Sequence, residues 1–329
     1  MRLKAAVATL ALACALTAAG CTTEPEAPAP ADPASLEDVE FFAYQIQEQH
    51  LDSAIDEIVE SDYDLIIIDQ TRSIVGEEDY DSAADVAAIQ TSPGTNVGRK
   101  IVVCYVDVGE AESYRVYWED DWEVGDPEWI VAPDPDGWDE NYPVAYWDDE
   151  WRDIMYGVFD SIVEDGYDGA YLDWLEAYEF EPVIDAAEEA GLDSEEELIS
   201  FVEDLADSAR SQKPGFLMIA QNAAIMGEHA DYVEVFDAIA QEAIWYDGVG
   251  DPDEPEQTGD TAIEPELTQE YLDALALWLE ADRPVFAVEY AIEPGHVERA
   301  YELGGEHGFI TYVTTRPLAM LTETPPPGY

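Results

Sequence analysis

Ile101-Val102-Val103-Cys104-Tyr105-Val106-Asp107 is an unbroken, mostly β-branched apolar run that ends on a carboxylate. Such a run, with no polar alternation, predicts a strand covered on both faces, as in a parallel sheet. The pattern recurs on either side of it. FFAYQ ends at Gln45 and LIIID at Asp69; downstream, GAYLD ends at Asp173, FLMIAQN at Asn222 and AIAQE at Glu242, while VFAVEY surrounds Glu289 and FITYVTT surrounds Thr314. Helical patterns separate these runs. Trp151, Met155, Phe159 and Ile162 share one helix face, as do Leu198, Phe201, Val202, Leu205 and Ala209, with Ser194 and Glu197 at capping-box spacing before them. Tyr271, Leu275 and Trp278 mark a further helix that stops ahead of Pro284. Eight strands alternating with helices predict an α/β fold, a single-domain (β/α)8 barrel, whose chemistry sits at the C-terminal ends of its strands.

The residues at those ends are acids and amides. Asp69, Asp107, Asp173, Glu242 and Glu289 can supply a pair of carboxyls, one ionised and one protonated, which is the equipment of glycosidic bond cleavage. Gln45, Tyr105, Gln221, Asn222 and Tyr312 offer hydrogen bonds to sugar hydroxyls. Alternation along the strands places Asp173 with Gly169 and Tyr171, Glu242 with Ala238 and Ala240, and Glu289 with Val285 and Ala287. Smaller residues on those faces put all three acids inside the barrel, without ranking them. Between Val108 and Asp149 lies a long connection rich in rings: Tyr114, Tyr117, Trp118, Trp122, Trp129, Trp138, Tyr142, Tyr146 and Trp147. About half of these serve a local core, and others, Trp147 among them, form sugar-binding faces. Individual acids could equally pair with arginines or cap helices.

The segments CYVDVGEAE (104–112), NYPV (141–144) followed by Tyr146-Trp147, GYDGAYLD (166–173) and Gln221-Asn222 together resemble the extracellular glycoside hydrolases related to endo-α-1,4-polygalactosaminidases, glycoside hydrolase family 114. The resemblance runs from Phe41 to Arg316. It implies a (β/α)8 barrel, a nucleophile at the end of the fourth strand, matching Asp173, and an acid/base at the end of the sixth, matching Glu242. It also implies an α-linked galactosamine- or galactose-containing polymer as substrate, and no cofactor. Asp69, Tyr105, Asp107, Asn222 and Glu289 are then expected to hold substrate.

Met1-Arg2-Leu3-Lys4, an apolar stretch to Ala19, and Gly20-Cys21 read as a lipoprotein signal peptide over 1–20, too short to span a bilayer. Ordinary cleavage near Ala19 is the alternative. Cys21 would carry lipid and anchor the protein to a membrane outside the cytoplasm, with a Pro/Ala/Glu-rich tether over 21–38 and the barrel over 39–329. Cys104 lies inside a strand and is expected to pack. His50, His229, His296 and His307 fall away from strand ends, which argues against a zinc barrel. With 77 acidic and 12 basic residues the net charge is −65, which excludes nucleic acid as partner and suits molar salt. A polysaccharide or oligosaccharide is the expected partner. Two other readings remain: a non-catalytic carbohydrate-binding lipoprotein, and a barrel that binds a divalent metal through Asp69, Asp107 and Glu289.

Overall fold

Eight parallel strands follow the eight apolar runs: β1 (Phe42–Tyr44), β2 (Leu65–Ile68), β3 (Ile101–Asp107), β4 (Gly169–Asp173), β5 (Leu217–Gln221), β6 (Ala238–Glu242), β7 (Val285–Tyr290) and β8 (Ile310–Thr314). They are hydrogen-bonded in that order in one sheet. The computed structural model describes residues 34–329 except Asp52, Asp136 and 249–258; the expected signal peptide, Cys21 and most of the tether lie outside the described residues. Helices α1 (Ala54–Glu60), α2 (Ser82–Gln90), α3 (Asp149–Asp165), α4 (Glu181–Ala190), α5 (Ser194–Gln212), α6 (Ala230–Val235), α7 (Pro265–Glu280) and α8 (Pro294–His307) join them, with both α4 and α5 in the fourth crossover. The chain is a (β/α)8 barrel. Among the described residues no helix is long and apolar enough to cross a membrane.

The helices form as their sequences dictate. The stripe Trp151, Met155, Phe159 and Ile162 of α3 is buried; Asp148 caps its start by accepting the Glu150 N–H, and Gly166 ends it at φ 89°. In α5 the cap is Asp193, whose carboxylate accepts the Glu195 and Glu196 N–H groups. The expected Ser194–Glu197 capping box gives way because the Ser194 hydroxyl donates to the Tyr178 carbonyl at 2.8 Å.

Register fixes which side chains face the axis. Across the sheet Tyr44 pairs with Ile67, Val103 with Gly169, Tyr105 with Tyr171, Asp107 with Asp173, Gln221 with Ala240, and Glu242 with Val288. Paired residues of parallel strands share a face. Tyr44 packs on Tyr105 and Tyr171, and Phe42 packs on Phe286 at 4.9 Å, so these residues define the interior. Phe286, Val288 and Tyr290 therefore point inward, and Glu289 points outward. That overturns the expected phase of β7. Bulk decided wrongly there because Ala240 beside Phe286 leaves room for a ring inside.

β1 and β8, the first and last strands, share no ladder. Phe42 on β1 meets Tyr312 on β8 at 5.5 Å, and the segment after β8 is fastened at the same seam. Ile46 and Gln47 donate their N–H groups to the Leu318 carbonyl, Gln45 donates Nε2 to the Ala319 carbonyl at 3.1 Å, and Thr322 donates its N–H to the Tyr312 hydroxyl at 2.9 Å. Gln45 and Tyr312, expected to meet substrate, are thus latches for the C-terminal segment, buried with their polar groups already engaged.

Candidate active site

Among the acids and amides expected at the barrel mouth, Asp173, Asn222 and Glu242 remain partly exposed, whereas Asp69, Asp107, Gln221 and Glu289 are buried. A group that touches an incoming polymer must reach solvent, so the first three form the centre of the site. Asp173 ends β4 and Glu242 ends β6, both facing inward. The residues that follow the three strand ends have left-handed backbones: Trp174 at φ 58°, Asn222 at 59° with Ala223 at 51°, and Ala243 at 50°. Such conformations in non-glycine residues persist only where surrounding contacts enforce them, and they cluster at functional sites.

Each carboxylate has two donors. Asp173 accepts the Tyr105 hydroxyl at 2.8 Å and the Trp174 N–H at 2.9 Å. Glu242 accepts the Tyr290 hydroxyl and, at 3.4 Å, Asn222 Nδ2. Asn222 Oδ1 in turn accepts the Glu242 N–H and Gln241 Nε2, both at 3.0 Å. Burial pushes the Asp173 carboxyl up to about 7, and the charge of Glu242 adds to that rise against the two donors. Asp173 is therefore held above the usual carboxylate range. Beneath it, Tyr171 donates to Gln221 Oε1, and Tyr44 packs against Tyr171.

Further acids surround this pair. Asp107 pairs in register with Asp173 and is raised by burial and by Glu110, Glu112 and Asp173; Glu110 is pushed up to about 9, chiefly by burial. Glu176 is raised by burial and by Asp173. Arg316, whose Nη1 meets Asp247 at 3.1 Å, is near enough to feel the charge of Glu242.

Other expected ligands go elsewhere. Asp69 is ion-paired with Arg115, whose Nη1 lies 2.9 Å from both carboxylate oxygens and whose Nε is 2.7 Å from Glu112. A cavity of about 470 Å³ beside this pair is lined by Cys104, Tyr105, Val106 and Asp107 of β3 and by α3; neither Asp173 nor Glu242 borders it. Glu289 accepts three backbone N–H groups, from Ile244 (3.0 Å), Trp245 (3.1 Å) and Tyr246 (2.8 Å). Burial pushes it up to about 8 against those donors. The three acids of the metal alternative are therefore not brought together. Trp147 stands half-buried, edge-on to Tyr146 at 5.2 Å. Trp118, Trp122, Trp129 and Trp151 form a chain of ring contacts with Tyr142 stacked on Trp118, so much of the aromatic connection is a local core.

Sequence reading missed Tyr290, Tyr44, Glu110, Glu176 and Arg316. Tyr290 was recoverable from strand phase, being next to a known end residue. Glu176 and Arg316 lie just beyond strand ends, where no periodicity marks them. Gly109 carried a signal: a Cβ there would strike the Trp174 carbonyl oxygen, so glycine lets the turn after Asp173 sit against the turn after Asp107.

The model of glycoside-hydrolase family GH114 matches residues 23–326. An uncharacterised protein of Deinococcus radiodurans is 34% identical over 225 residues, 68% of this chain and 67% of its own length. The chain spans 59% of a further relative, from Methanocaldococcus jannaschii, 30% identical over 66% of this chain. Among solved structures, the glycoside hydrolase domain of PelA from Pseudomonas aeruginosa superposes with a TM-score of 0.62 at 16% identity, covering 87% of this chain and 98% of that one. Aspergillus fumigatus Ega3 in complex with galactosamine gives 0.63 at 16% identity, covering 89% and 98%. At such identities the likeness is one of fold.

Proposed function

The chain belongs to glycoside-hydrolase family GH114, and from that premise we propose that it cleaves a galactosamine-containing polysaccharide within the chain, with Asp173 as nucleophile and Glu242 as acid/base. The observation that carries this reading is geometric: two inward-facing, partly exposed carboxyls end β4 and β6, each gripped by two hydrogen-bond donors. The reaction runs through the form in which Asp173 is ionised and Glu242 is the acid: Asp173 attacks the anomeric carbon while Glu242 gives a proton to the departing oxygen, and in the second step Glu242 takes a proton from the water that releases the sugar from Asp173. This double displacement retains configuration and needs carboxyls about 5–5.5 Å apart. Tyr105 and Trp174 favour the charged form that Asp173 needs for attack.

Two further points support an amino-sugar substrate. The Ega3 structure is a complex with galactosamine, and an ammonium group would meet Glu176, a partly exposed acid next to Asp173 that forms no ion pair among the described residues. We place the enzyme outside the cytoplasm, held by lipid on Cys21, on the strength of the leader and tether sequence; the mass of the cell-associated mature N-terminal peptide tests this, and an unlipidated Cys21 would refute it.

The test of function is hydrolysis of galactosamine polymers in high salt. Asp173→Asn and Glu242→Gln should each fold and bind oligosaccharide, yet lose turnover by about a thousandfold or more. Azide should partly restore turnover to Glu242→Ala on substrates with good leaving groups. A Glu242→Gln variant that keeps most activity overturns the acid/base assignment, and a parent that binds the polymer without cleaving it makes the protein a carbohydrate-binding lipoprotein.

A further inference from the structure

Glu289 is a wholly buried carboxylate with no part in the two chemical steps, yet it gathers the N–H groups of three successive residues. Those residues, Ile244, Trp245 and Tyr246, begin two positions after Glu242. Between them and Glu242 stands Ala243, left-handed at φ 50°, whose own N–H is spent on the Val288 carbonyl at 2.9 Å. The chain therefore leaves β6 by a strained turn, and past that turn its N–H groups converge on one carboxyl group. Backbone N–H groups oriented together act as a fixed partial positive charge, so this carboxylate and this turn hold each other in shape.

The same stretch carries more of the site. Thr268 donates its hydroxyl to the Ile244 carbonyl at 2.8 Å, and Ile263 donates its N–H to the Trp245 carbonyl at 3.0 Å. Next comes Asp247, which accepts Arg316 Nη1 at 3.1 Å, and Arg316 is near enough to feel the charge of Glu242. Tyr290, adjacent to Glu289, points to the other side of the sheet and donates to Glu242. Consecutive residues of β7 thus grip Glu242 from two directions, one through its carboxylate and one through the turn behind it.

We propose that Glu289 is a positioning residue: through the three N–H groups it fixes the turn that aims Glu242, and through Asp247 it sets Arg316 beside it. The inference rests on the role given to Glu242 above. Among the described residues the N–H groups of Ile244, Trp245 and Tyr246 meet no other carboxyl group.

Glu289→Gln keeps the shape but turns an NH₂ group toward N–H donors, whereas Glu289→Asp keeps the carboxyl group on a shorter stem. Hydrogen exchange, thermal unfolding and steady-state kinetics on the galactosamine polymer are measured for the parent and both variants. Exchange across 243–247 in Glu289→Gln should quicken by about tenfold or more while other segments hold their rates. The turnover number should fall on the order of 10- to 100-fold with KM nearly unchanged, and the loss should vanish in a Glu242→Gln background, because Glu289 acts only through Glu242. Faster exchange throughout the barrel, a turnover number unchanged when the turn has opened, or additive losses in the double variant would each overturn the proposal. If Glu289→Gln does not fold, Glu289→Asp is read by the same measurements. A parent that fails to cleave any polymer refutes the function, and exchange at 243–247 then still decides whether Glu289 holds the turn.

Discussion

Asp173 shows how the site sets function against stability. Its carboxyl is pushed up to about 7 by burial and then by Glu242, while an aspartate in the unfolded chain titrates at about 3.9. Between those values the folded protein binds the extra proton. The contribution of this group to stability is therefore full below about pH 4 and declines as pH rises toward 7. Asp173→Asn, neutral at every pH, should melt higher than the parent at pH 8 and at the parent's temperature near pH 4; equal melting at pH 8 would show that Asp173 is not under this strain. Which residues faced the site was only partly legible in the sequence. Asp173 and Glu242 were, because Tyr171 beside Asp173 and the small Ala238 and Ala240 beside Glu242 do share the inner face. Glu289 was not, because alternation along β7 gives two faces without saying which is inside, and an inward Phe286 balanced by Ala240 defeats a rule based on size.

At the level of elements, the strands were legible because strands buried on both faces must be apolar throughout, and the helices because their stripes must meet the sheet. Contacts between distant elements were not. Nothing local to Tyr312 marks it as the acceptor for Thr322, nor marks Gln45 as the donor to Ala319. Likewise the rings of the third connection advertise an aromatic cluster but not whether the cluster is filled by sugar or by itself; Trp118 through Trp151 fill it. Tyr312→Phe tests the latch. It leaves the Thr322 N–H without its acceptor, which costs about 1 kcal/mol, and should lower the melting temperature by a few degrees while catalysis is untouched. A large loss of turnover without loss of stability would return Tyr312 to the substrate site.

For the whole molecule, the barrel could be read because strands and helices alternate in regular order along the chain, whereas the surface is legible from composition alone. A charge of −65 repels itself across the surface, and salt shortens that repulsion to about 3 Å at 1 M. The melting temperature should rise steadily from dilute buffer to molar salt, and a flat curve would show that the acids are offset locally. The seam between β1 and β8 gives this charge a second meaning. The two strands come from opposite ends of the barrel's sequence, and the latch that closes them, Leu318 to Thr322, follows β8. During synthesis or refolding the ring must therefore stay open until that segment arrives, with two bare strand edges able to pair with another copy. Chains that repel one another so strongly meet rarely in that state, so the acid load that strains the finished barrel guards the unfinished one against aggregation. Pulsed hydrogen exchange during refolding should find the amides of β1 and β8 protected last; protection there ahead of β3 and β4 would mean that the ring closes by another route.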